Sequence, residues 1–225
     1  MNPEMTESEY LFGALCEGSD VPNRRIPPSS SEGERSADYV AKFGGLDVVV
    51  EVKQIDPNPE DINFEKELLE HKHAVSRSIT PGVRISGKIR DANSQLQKYS
   101  RNGAPTMLAV FDATRSLSYT DPYNVKAGMY GLDAVVFGVP SDLGENPYVT
   151  GYKSGGRQTM TEDMNTSISV LSVLFQNEQG IPYLITYHNR FANIPLEPED
   201  LRAVSAHQFR LSEPDGEHMP DWVEV

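Results

Sequence analysis

Residues 37–54 read ADYVAKFGGLDVVVEVKQ, two strand-like runs joined by Gly44-Gly45. Two consecutive glycines supply the positive φ angles that a two-residue hairpin turn demands. A tight turn there pairs Phe43 with Leu46 and carries the register back until Asp38 stands opposite Glu51. Directly opposed residues point to the same face of a sheet, and Lys53, two residues beyond Glu51, shares that face. Three charged groups therefore converge from spacing alone.

The run VVVEVK holds apolar side chains on both faces, the pattern of a strand covered on both sides. Glu51 interrupts it. A buried carboxylate without a partner costs several kcal/mol or takes up a proton, and Asp38 facing it adds like-charge repulsion. A divalent cation answers both problems, and hard oxygen ligands suit Mg2+ or Mn2+. Asp38 and Glu51 are thus candidate metal ligands. The competing reading is an ordinary ion pair of Lys53 with Glu51 or Asp38 on an exposed sheet face.

Outward from the hairpin, residues 6–17 predict a helix, with Thr6 as N-cap and Glu9 at capping-box spacing. Pro22, Pro27, Pro28 and Ser29-Ser30-Ser31 mark residues 20–35 as loop. Residues 60–75 and 84–102 predict two charged helices, and TMLAVFD at 106–112 a buried strand. A short helix over 121–129 and strands over 132–139, 166–175 and 183–188 follow. Beyond Phe191 the chain is proline-bearing and acidic and reads as irregular. The expectation is an α/β fold, a mixed central β-sheet flanked by helices, over residues 1–195, with an acidic C-terminal segment over 196–225.

The sequence carries 33 acids against 20 bases, a net charge of −13. That balance argues against a general nucleic-acid coat protein. It does not exclude a metal enzyme, whose ligand carboxylates count as negative until the metal arrives. Between residues 84 and 101 the sign reverses locally: Arg84, Lys88, Arg90, Lys98 and Arg101 stand against Asp91. Apolar runs stay at the VVV scale, far short of the roughly 20 residues of a membrane span, and the acidic start is unlike a signal peptide. The lone Cys16 allows neither an internal disulfide nor a cysteine metal cage. A soluble, cytoplasmic protein with no membrane partner is expected. His188-Asn189-Arg190 lacks a nearby second histidine, and His71 and His73, two apart on a helix, point to different faces.

Asp38 followed across a hairpin by Glu51-Val52-Lys53 resembles the D…ExK signature of the PD-(D/E)xK nuclease superfamily, with Ala37 where a proline often precedes the first acid. The resemblance spans residues 9–112. It implies a restriction-endonuclease-like core and hydrolysis of phosphodiester bonds with Mg2+ or Mn2+. Asp38, Glu51 and Lys53 would be the catalytic set, with Asp38 and Glu51 on the metal. Members often add a glutamate from a preceding helix, for which Glu9 is the candidate, and a glutamine from a following helix, matched by Gln95. The implied partner is a nucleic acid, DNA in preference to RNA, its backbone tracked by Arg24, Arg25, Arg84, Lys88 and Lys98. The alternative is a catalytically inactive nucleic-acid-binding or protein-interaction module on the same fold.

Overall fold

Gly44 (φ 54°) and Gly45 (φ 92°) make the turn that joins β2 (Tyr39–Phe43) to β3 (Leu46–Ile55). Tyr39 pairs with Val50 and Phe43 with Leu46, the register that the spacing predicts. In this computed structural model residues 5–27, 36–70, 76–114, 117–142 and 144–225 are described. The serine run 29–31, His71 and His73, and the far end of the expected 60–75 helix lie outside them.

The hairpin belongs to an eight-stranded mixed sheet. Its edge beside β2 is β1 (Asn23–Arg25), a three-residue strand inside the stretch expected to be loop. On the other side β3 runs parallel to β4 (Thr106–Asp112), and β4 parallel to β7 (Val170–Gln176). β8 (Pro182–His188) pairs antiparallel with β7. The acidic tail does not stay irregular: β9 (His207–Leu211) runs parallel to β8, and β10 (Trp222–Glu224) closes the order β1-β2-β3-β4-β7-β8-β9-β10. A separate two-stranded sheet joins β5 (Asp133–Gly138), the expected 132–139 strand, to β6 (Tyr148–Ser154).

Helices cover both faces, as the doubly apolar β3 requires. One face is covered by α1 (Glu7–Gly18), which packs on β3, β4, β7 and β8. Leu11, Phe12, Leu15 and Cys16 meet Val48, Val50 and Val52 there. Thr6 and Glu9 cap α1 reciprocally, as their spacing predicts. The other face is covered by α3 (Val83–Arg101), which packs on β3, β4 and α4 (Pro122–Tyr130). Ile85, Ile89, Ala92 and Leu96 meet Val49, Ile55, Leu108 and Val110. Each fully buried aliphatic side chain contributes about 1.5–3 kcal/mol, so the two apolar layers, not the polar loops, hold the sheet. α2 (Pro59–Glu70) buries only Asp61, and α5 (Pro198–Leu201) is a single turn. No helix among the described residues is long and apolar enough to cross a membrane.

The turn is also a packing point. A Cβ added to Gly44 would lie 2.7 Å from Asp200 Cα, whereas one on Gly45 meets nothing within 4 Å. Both substitutions to alanine strain a left-handed residue by about 1–2 kcal/mol, but only Gly44→Ala adds a backbone collision. Urea unfolding of the two variants should show Gly44→Ala as clearly the less stable; equal losses would contradict the packing of α5 on the turn.

Candidate active site

Strand alternation puts Val49, Glu51, Lys53 and Ile55 on the α3 face of the sheet, where Val49 and Ile55 join the core with α3. The Asp38 N–H donates to Val50 O at 3.1 Å, extending the β2–β3 ladder so that Asp38 stands across from Glu51. Its carboxylate Oδ2 accepts from the Val52 N–H at 2.8 Å. The two acids thus face each other, as the register predicts, with Lys53 on the same face.

The competing ion pair of Lys53 with Glu51 is present, but Glu51 is 1% exposed, so the pair is buried and not on an open sheet face. Lys53 Nζ donates to Glu51 Oε1 and, at 3.0 Å, to Gln95 Oε1. Gln95 Nε2 in turn donates to the Ser36 carbonyl at 3.1 Å. Gln95 is therefore beside the site, and it spends both ends of its amide fixing Lys53 and the approach to β2. The other carboxylate oxygen, Glu51 Oε2, is buried without a hydrogen-bond partner; among the described residues it is the one buried side-chain polar atom left so. Nearly all buried polar groups are paired, so this oxygen stands out as a free acceptor facing the site. Burial, with Asp38's charge adding to it, pushes the Glu51 carboxyl up to about 7 against the pull of Lys53. Burial also raises Asp38, opposed by the Val52 amide.

The outer candidates divide. Glu9 keeps its side chain 13% exposed and spends its carboxylate on the Thr6 N–H at 3.0 Å and on Arg25 Nη2 at 3.4 Å. It adds negative potential at Asp38, yet no group of three or more acids, histidines or cysteines able to hold a metal forms among the described residues. The bonds it makes are those of the helix cap. Arg24 and Arg25, neighbours in a strand, fall on opposite faces. Arg24 pairs with Val40 and shares the acids' face, while Arg25 pairs with Tyr39 and lies 6.0 Å over its ring on the α1 face.

Along α3 the bases divide likewise. Arg84, at the far end from Gln95, bonds the Asp56 carbonyl, lies 3.6 Å from Asp61 and stacks 5.0 Å over Tyr119. Asp61 is buried and also takes Arg77 at 2.6 Å and the Tyr119 hydroxyl at 2.5 Å, so Arg84 is a strut of that knot. Lys88 is half-buried, two turns from Gln95 on the same stripe, and among the described residues joins no ion pair. Lys98 lies 5.3 Å over the Tyr99 ring. The discounted His188 is a structural group, buried and 3.0 Å from Gln208 Oε1, and His207 pairs with Glu224. What the residue pattern leaves out are backbone groups, the Val52 amide and the Ser36 carbonyl, which carry no side-chain signature, and the Asp61 knot, assembled from distant segments. Comparison with protein-family models, with curated proteins and with solved structures finds no match.

The Glu51 shift fixes the sign of a pH effect. A carboxyl whose folded value, about 7, exceeds its unfolded one near 4.5 binds more protons when folded. Its stabilisation is then complete below pH 4.5 and is lost as the pH rises through about 7. In EDTA the protein should therefore melt lower at pH 8 than at pH 6, and Glu51→Gln should shrink that difference. A wild-type melting temperature that rises over this interval, with no change in the variant, would refute the burial of an unneutralised Glu51.

Proposed function

We propose that the chain is a metal-dependent nuclease of the PD-(D/E)xK type, hydrolysing phosphodiester bonds of a nucleic acid at Asp38, Glu51 and Lys53. The observation that carries this reading is the unpartnered, buried Glu51 Oε2 with a second carboxylate across the strand pair and a lysine on the same face. The hairpin, the parallel strand β4 and the helix α3 laid over them support a restriction-endonuclease-like core.

The residues fit Mg2+ or Mn2+. Mg2+ is commonly bound by one or two carboxylates, keeping waters and substrate phosphate oxygens as its remaining ligands. Asp38 and Glu51 would hold it, and neutralising their mutual repulsion supplies part of the binding energy. When bound, such a cation supplies positive charge against the scissile phosphate and acidifies water. Lys53 has three N–H donors; Glu51 and Gln95 take two, which leaves one for the attacking water or a phosphate oxygen. Its charge opposes the negative charge that grows in the transition state. Gln95 holds that ammonium in place. Arg24 and Lys88, both on this face, attract the phosphate backbone to an otherwise acidic protein.

Purified protein should bind Mg2+ or Mn2+ by calorimetry, melt higher in its presence, and cleave nucleic acid in a reaction that EDTA stops. Lys53→Ala should keep the fold and metal binding while kcat falls about 10²–10³-fold, the loss typical of one preorganised transition-state charge. Single-stranded and duplex DNA and RNA are the substrates to compare. Absence of both metal binding and cleavage would select the inactive-module reading; equal activity in wild type and Lys53→Ala would trace the cleavage to a contaminant.

A further inference from the structure

One step along the hairpin from the two acids, toward the Gly44-Gly45 turn, lies a shallow pocket of about 280 Å³. Ile26, Val40, Val49, Tyr99 and Ala104 line it together with Arg24 and Asp47. Val40 and Val49 are the cross-strand pair that follows Asp38 and Glu51 on the same face. Val49 is thus about 7 Å from Glu51 along the strand. Tyr99 is one turn, about 6 Å, beyond Gln95 on α3, so helix and strand advance in step from the acids into the pocket.

The lining specifies the occupant. The apolar residues and aromatic ring accept a flat group with apolar faces. Arg24 offers only donors and Asp47 only acceptors; both are exposed, and among the described residues neither joins an ion pair. A ligand that satisfies both carries donors and acceptors on its edge. A hydrocarbon chain has neither, and a phenol ring has a single polar atom. A nucleobase has both and stacks on aromatic rings. The offset from the acids matches the reach of one nucleotide from its phosphate to its base.

We propose that this pocket seats an unpaired nucleobase of the nucleotide next to the scissile phosphate, so that the substrate is single-stranded at the cleavage site. The inference rests on the nuclease reading for the position of the phosphate. A base inside a duplex has its faces stacked and its edge paired, and must leave the helix to enter.

The pocket can be read without cleavage. Full-length 15N-labelled protein in EDTA is titrated with deoxyadenosine, with deoxycytidine and, as an aromatic control, with N-acetyltyrosinamide. Both nucleosides should shift the backbone signals of Arg24, Val40, Val49 and Tyr99 and spare the α1 face. Tyr99→Ala should weaken them about tenfold. Asp47→Ala, an exposed position that leaves the fold intact, should weaken them by about threefold. Nucleosides that move none of these signals, or a control that moves them equally well, overturn the proposal. Cleavage with Mg2+ on the same preparation separates the two ideas. Pocket shifts without cleavage uphold the nucleobase site and remove the nuclease, whereas cleavage without shifts does the reverse.

Discussion

Side chains in a strand alternate with period two, so the pairing of Tyr39 with Val50 decides the face on which every residue of the hairpin lies. A slip of one residue would turn Glu51 into the α1 layer that Val48, Val50 and Val52 now fill and send those valines toward α3. The two apolar layers enforce the register because both sides of β3 are covered. The same enforcement lets the protein keep an unpaired carboxylate oxygen in its interior. Expelling Glu51 to solvent would break the packing of four valines and an isoleucine on the same strand.

Charge in this molecule is distributed by use, not by sequence neighbourhood. Arg24 and Arg25 are adjacent in the chain and serve different faces, one beside the acids and one fastened to Glu9. Arg84 and Lys88 sit one turn apart on α3, yet Arg84 is locked to Asp61, Asp56 and Tyr119 while Lys88 joins no ion pair among the described residues. A buried aspartate held by two arginines and a tyrosine hydroxyl fixes the start of α3. It thereby fixes the height at which Gln95 meets Lys53.

The centre of the fold was legible because its signals are local. Gly44-Gly45 set the turn, the doubly apolar run set the covered strand, and Thr6 with Glu9 set the first helix. Gln95 could be placed beside the acids only through the family resemblance. Illegible were the elements whose stability comes from their neighbours. β9 and β10 are short and polar and become strands because β8 offers them an edge. β1 is three exposed residues that pair with β2. β5 reads as a strand from its valines, but its place outside the main sheet has no mark in its composition. Glu9 suited two roles by spacing; its bonds to Thr6 and Arg25 show the capping one.

The contact of Asp200 on Gly44 ties the hairpin to residues that emerge from the ribosome some 150 positions later. Through most of synthesis the turn lacks its α5 cover, and β8, once made, shows an open edge until residues 207–211 arrive to pair with it. An unpaired strand edge invites pairing with another chain. The acidic residues Glu197, Glu199 and Asp200 precede β9 in the chain and are made before it. Their like charges on every nascent chain discourage two such edges from meeting. The composition that makes the tail look like an appendage thus belongs to residues that complete the main sheet.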